Sequence, residues 1–139
     1  MNWYEFAENP EVILALYEVV PSLKGIDLQT VRLHQENAGM AVYAILSRFV
    51  DRPPVQWLQK YYNATLITLD FVELDALHIE KWSTFNFVDA TLERTEAGNI
   101  QVQIMSSDFS IQAVARSMRI TVDAFHQHPL TKPEDYQTR

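Results

Sequence analysis

The stretch Ala64-Thr65-Leu66-Ile67-Thr68-Leu69-Asp70-Phe71-Val72-Glu73-Leu74 decides the fold. Ile67, Leu69 and Phe71 fall on one side of an extended chain and Leu66, Thr68 and Asp70 on the other, the period of two of a half-buried strand. Working outward, the same alternation recurs. Leu28 to Gln35, with a slip between Leu28 and Val31, and Met40 to Ser47 flank the turn Asn37-Ala38-Gly39 and predict a hairpin. After a tight connection near Asp75-Ala76 comes a further strand, Leu77 to Trp82. Val88 to Thr95 and Ile100 to Met105 flank Glu96-Ala97-Gly98-Asn99 as a second hairpin, and Phe109 to Ala115 and Met118 to Phe125 alternate again. The β-branched Ile120, Thr121 and Val122 favour a strand over a helix in the last of these. About eight strands at spacings of roughly 8–12 residues predict a mostly β protein, an antiparallel sandwich or partly open barrel.

One helix is expected before the sheet. Asn9-Pro10-Glu11 offers a capping side chain, a proline at the first helical position and an acid in the first turn. Val12, Ile13, Leu16, Tyr17 and Val20 recur at helical spacing until Pro21, which gives a short N-terminal helix of about ten residues. Pro53-Pro54-Val55-Gln56-Trp57 stops a strand, because proline fixes φ and donates no backbone hydrogen bond. Its tryptophan supplies an apolar anchor. Trp57 and Trp82 are expected to be largely buried, and core packing is the favoured role for Trp3, Phe71, Phe85 and Phe87 as well.

At 139 residues the chain fits a single domain, 1–139, whose polar, proline-bearing end at 128–139 is expected to be a flexible tail. There is no cysteine, which excludes disulfides and thiolate chemistry. No apolar run approaches the ~20 residues of a membrane helix, and the first residues carry no basic leader, so a cytoplasmic protein without membrane contact is expected. The net charge of −7 is uneven. Residues 61–112 hold eight acids against two bases, a net of −6. Such a surface repels phosphate backbones, which argues against nucleic-acid binding, and steers toward a basic partner.

Catalytic and metal signals are sparse. His126-Gln127-His128 sets two imidazoles on one side of an extended segment, without further ligands at a recognised spacing. His78-Ile79-Glu80 pairs a histidine with a carboxylate on one face, and His34 lies in another strand pattern; rim residues of a half-solvated sheet explain these better than acid–base catalysis. Ser106-Ser107-Asp108 reads as a turn, since no glycine flanks it as in a nucleophile elbow. The expectation is no enzyme activity, no cofactor and no metal.

The order of the elements resembles the immunity protein 50 family of bacterial polymorphic toxin systems. The residues that carry the resemblance are Asn9-Pro10, Pro21-Ser22-Leu23, Leu28 with Val31 and Leu33, Pro53 to Trp57, Thr65 to Val72, and Leu77 to Trp82. The chain departs from the family pattern at Gln56, where a basic residue is expected, and at Lys81, where glycine is expected. The resemblance implies a mostly β, non-catalytic protein that binds and neutralises a cognate protein toxin in the cytoplasm. The acids Asp70, Glu73, Asp75, Glu80, Asp89 and Glu93 are the candidates for contact with a basic toxin surface. Two competing readings are a small β-sheet binding module for a hydrophobic ligand or another protein, and a metal-dependent enzyme using His126 and His128.

Overall fold

The computed structural model describes residues 1–84 and 87–127. Phe85, His128 and the expected tail at 128–139 lie outside the described residues. The protein is mostly β, with six antiparallel strands in one sheet: β1 (Ile26–His34), β2 (Gly39–Ile45), β3 (Ala64–Glu80), β4 (Phe87–Arg94), β5 (Ile100–Met105) and β6 (Ser110–Phe125). The spatial order is β1-β2-β3-β6-β5-β4, and the ring closes where Ile26 and Asp27 of β1 pair with Val88 and Phe87 of β4.

Six strands replace the expected eight because two pairs of sequence segments are each continuous. Asp75-Ala76 is not a turn. It is an irregularity inside β3, where the pairing with β6 shifts between Leu74 and Ala76. Phe109–Ala115 and Met118–Phe125 likewise join into β6. At ~3.3 Å per residue, the 17 residues of β3 reach about 55 Å, far longer than a typical strand. A strand that long cannot keep one face inward all the way. Ile67, Leu69 and Phe71 face the core in the first half of β3, opposite Val122, Ile120 and Met118 of β6. In the second half the inward positions are Leu74, Leu77 and Ile79, opposite Ala115, Ala113 and Ile111. Both strands change faces at the same level, and Glu73 has φ +56° there. The Arg116–Glu73 ion pair, 3.1 Å, straddles the kink.

One core runs through the ring, from Met40, Val42, Ile67, Leu69 and Phe71 to Ile100, Val102, Ile104, Ile111 and Met118. Burying each of these aliphatic or aromatic side chains contributes about 1.5–3 kcal/mol. The turn before β2 depends on Gly39: a Cβ there would meet Asn37 Oδ1 at 2.5 Å and the Phe71 carbonyl at 3.0 Å.

The N-terminal helix is shorter than expected. α1 (Glu11–Leu14) is a single turn, preceded by a 3-10 turn at Trp3–Phe6. The helix stops because residues 48–52 take up the backbone groups that would extend it. The Leu16 carbonyl accepts from the Asp51 and Arg52 amides at 2.9 and 3.0 Å. The Glu18 amide donates to Asp51 Oδ2 at 2.8 Å, and the Tyr17 and Val19 carbonyls accept from the Arg52 and Arg48 guanidinium groups. That bond from Glu18, with Arg48 beside it, holds the Asp51 carboxyl below its ordinary range. Tyr17 turns inward, donating its hydroxyl to the Arg48 carbonyl at 2.7 Å, and burial pushes its phenol up.

Asn9 does not cap this helix. Its side chain donates to the Ile120 carbonyl and accepts from the Ile120 amide, both at 2.8 Å. Beside it the Glu8 amide donates to the Met118 carbonyl at 2.9 Å. β5 spans only six residues, so β6 runs past it without a neighbouring strand, and residues 8–9 hold that edge.

The proline pair ends in a helical turn that the sequence pattern did not suggest, α2 (Val55–Gln59). Trp57 is half-buried, with its ring 6.3 Å from that of Phe49. Trp82 contradicts the expectation outright: it is 57% exposed and meets Phe109 edge-on. Phe87 is 63% exposed, so it too lies outside the core, whereas Phe71 is fully buried. Lys81, where the resemblance expects glycine, has φ +55°, a conformation that glycine adopts without strain.

Candidate functional site

The second half of β3, the first half of β6, β5 and β4 lie side by side, and their register sets the outward residues in rows. Glu80, Ser110, Met105 and Asp89 form one row across the four strands. His78, Gln112, Gln103 and Thr91 form the next, and Ala76, Val114, Gln101 and Glu93 the third. The inward residues of the same strands, among them Ile111, Ala113, Val102, Ile104 and Ala90, belong to the core. Alternation therefore turns the twelve outward residues to solvent together. Three strand spacings give the face a width of about 14 Å, and four residues a length of about 13 Å.

Three of the six candidate acids, Glu80, Asp89 and Glu93, occupy corners of this face, and its twelve residues include no lysine or arginine. The fourth corner is Ala76, and Asp75 beside it accepts a hydrogen bond from Asn99 Nδ2 at 3.3 Å. Glu80 is held by His78 Nε2 at 3.0 Å, and that hydrogen bond lowers its carboxyl pKa. Asp89 accepts from the Gly25 amide through Oδ1 at 2.8 Å, which fixes the carboxylate at the rim.

The other two candidates are not brought to this face. Asp70 and Glu73 lie at and beyond the kink, on a stretch of ribbon that also carries two arginines. Asp70 is the cross-strand neighbour of Arg119, and Glu73 pairs with Arg116 at 3.1 Å. Arg119 also reaches Glu8 at 3.4 Å. The local charge there is largely balanced.

His78 and Glu80 do share a face, as the sequence suggested, but both side chains are mostly exposed and no enclosed cleft adjoins them among the described residues. Ser106 is a turn residue: its Oγ accepts from the Asp108 and Phe109 amides at 3.2 and 3.3 Å. His34 ends β1 in the open, near the hairpin tip. Among the described residues no group of three or more His, Asp or Glu is placed to hold a metal. His126 Nδ1 lies 3.0 Å from the Tyr61 carbonyl. No helix among the described residues is long and apolar enough to cross a membrane.

The family model described as immunity protein 50 matches residues 9–124. The chain belongs to the immunity protein 50 family. No curated protein and no solved structure matches the chain. The matched span opens on Asn9 and takes in all but the last residue of β6, so this family member's edge clamp between Asn9 and Ile120 lies wholly within it.

Sequence reasoning missed two parts of the face. The glutamines Gln101, Gln103 and Gln112 carry no charge signal, yet they fill its centre. At the Asp89 end, Phe87 and the 47%-exposed Met105 border a depression of about 290 Å³ with Asp108. The alternation of β4 marks Phe87 as outward, in step with Asp89 and Thr91, and would have found it.

Proposed function

We propose that the protein neutralises a cognate toxin by stoichiometric binding, presenting the outer face of β3, β6, β5 and β4 to a basic surface of that toxin. The observation that carries the reading is the register, which gathers Glu80, Asp89 and Glu93 on one exposed face without a lysine or arginine. Membership in a family described as immunity proteins supports the class of partner. The neutral glutamines between the corners can donate and accept hydrogen bonds, and exposed Phe87 and Met105 supply an apolar anchor at the rim. If the toxin is a nuclease, its substrate site is positive, and the carboxylates take the place of phosphates there. On this reading the protein is not an enzyme and acts in the cytoplasm, where the toxin would do its damage.

Charge of this kind acts mainly on the association rate. Reversing Glu80, Asp89 and Glu93 together to lysine should slow association with the cognate toxin by about 10–100-fold at low salt, with the melting temperature nearly unchanged. Reversing Asp70 should leave the rate within about twofold, because its neighbourhood is already balanced by Arg116 and Arg119. Stopped-flow association at two ionic strengths reads both effects. A rate that ignores salt and the triple reversal would overturn the electrostatic reading.

A further inference from the structure

We infer that the free edge of β3 at Ala76–Glu80 is a docking strand, on which a basic extended segment of the protein partner proposed above adds as a seventh strand. The inference rests on that partner reading but concerns a different surface, the side of the sheet rather than its face.

In its first half β3 is hydrogen-bonded on both sides, to β2 and to β6. β2 ends with Met40 opposite Phe71, and the turn behind it continues for two more bonds: the Glu73 and Leu74 amides donate to the Asn37 and Ala38 carbonyls at 3.1 and 2.8 Å. Beyond that point residues 76–80 pair with β6 alone and have no second backbone neighbour among the described residues. Half of the peptide groups of an edge strand point away from its partner and bond only to water. Leu77, an inward position, is 37% exposed, as expected beside an open side.

The protein covers comparable edges elsewhere. Residues 8–9 seal the second half of β6, and on β4 the Ala90 amide donates to the Leu23 carbonyl at 3.0 Å while Gly25 bonds Asp89. Among the described residues the edge of β3 is left bare, with Asp75 and Glu80 at its two ends and Lys81 following Glu80. The two carboxylates outnumber Lys81, so the edge repels an acidic strand and favours one that carries lysine or arginine. The β4-facing edge of β1 is also open beyond Asp27 among the described residues, but it carries Arg32 and His34 and no acid before Glu36, so it suits a basic segment less well. A strand added to β3 would also extend the row of Glu80, Ser110, Met105 and Asp89, making one continuous footprint. Main-chain bonds would give affinity and the flanking acids selectivity.

The test uses the whole protein and two probes, an alternating lysine–valine heptapeptide and its glutamate–valine counterpart. Amide hydrogen exchange followed by NMR should show residues within 76–80 exchanging at least tenfold more slowly with the lysine peptide, saturably, and unchanged with the glutamate peptide. Protection confined to Thr91–Glu93 or Gln101–Gln103, or no saturable effect up to millimolar peptide, overturns the inference. Protection at 76–80 that grows with protein concentration alone also overturns it, since a second copy then occupies the edge. Leu77→Pro and His78→Pro carry the test to the toxin. Successive amides point to opposite sides, so one of these variants removes an outward N–H and leaves the ladder to β6 intact, and it should lose less melting temperature than the other. That variant should bind the toxin at least tenfold more weakly. If it protects cells as well as the unaltered protein does, the docking strand is wrong and neutralisation stands. If the unaltered protein fails to protect, it is the parent reading that falls.

Discussion

Asn9→Ala should destabilise the protein by about 2–4 kcal/mol, far more than loss of an exposed asparagine. The substitution leaves both the amide and the carbonyl of Ile120 without partners at a site where Asn9 and Ile120 are buried. An unsatisfied buried polar group costs about 1–3 kcal/mol, and here there are two. Asn9→Asp keeps the acceptor for the Ile120 amide and removes the donor, so it should fall between wild type and alanine. Urea denaturation with a shared slope measures all three. A loss below about 1 kcal/mol for alanine would mean that water reaches the β6 edge. Residues 8–9 would then be an ornament on the sheet rather than part of it.

Phe71→Ala should cost about 3–5 kcal/mol, the range for removing a large aromatic from a packed core. Phe71 is fully buried and sits opposite Met40 on one side and Met118 on the other, at the last level before β3 and β6 change faces. A cavity there would lie beside the kink, where Glu73 already holds a left-handed backbone conformation. Phe71→Leu retains most of the volume and should cost less than half as much. Calorimetry on both variants checks the ratio; equal losses would show that the aromatic shape, not the buried volume, fixes the kink. Trp82→Ala serves as the contrast, since that ring is more than half exposed and its removal should cost much less than that of Phe71.

What the sequence made legible, and what it hid, divides along local and non-local physics. Alternation along Ile67, Leu69 and Phe71, the two hairpin turns and the mostly β class are properties of short windows, and they were readable. The strand count was not. A turn and a bulge both interrupt the period of two, and only pairing with β6 distinguishes Asp75-Ala76 as the latter. Asn9 misled for a related reason. An asparagine before proline satisfies the local signature of a helix cap, but a partner 111 residues away outcompetes it. Trp82 was misplaced because size and apolarity predict burial only on average, and its loop lies at the end of the ring. The acid pool was legible as composition. Its division, with Glu80, Asp89 and Glu93 on one face and Asp70 and Glu73 beside arginines, required cross-strand register, which no window of sequence contains.

The clamp between Asn9 and Ile120 also sets an order of events during translation. Residues 8–9 leave the ribosome early but have no seat until the second half of β6 emerges, 111 residues later. Until then Phe6, Ile13 and Tyr17, all core residues, have nothing to pack against on that side. Folding of the nascent chain is therefore all but post-translational, with the non-local closure that makes such topologies slow. A ribosome-arrested chain ending at residue 115 should leave residues 1–10 as protease-sensitive as an unfolded peptide, whereas the released chain protects them. A protected N-terminal segment on the arrested chain would place its docking before β6 and contradict this order. For a cell that needs binding-competent protein promptly, the slow step lies in the last stretch of the ring, and a store of finished molecules meets that need better than synthesis on demand.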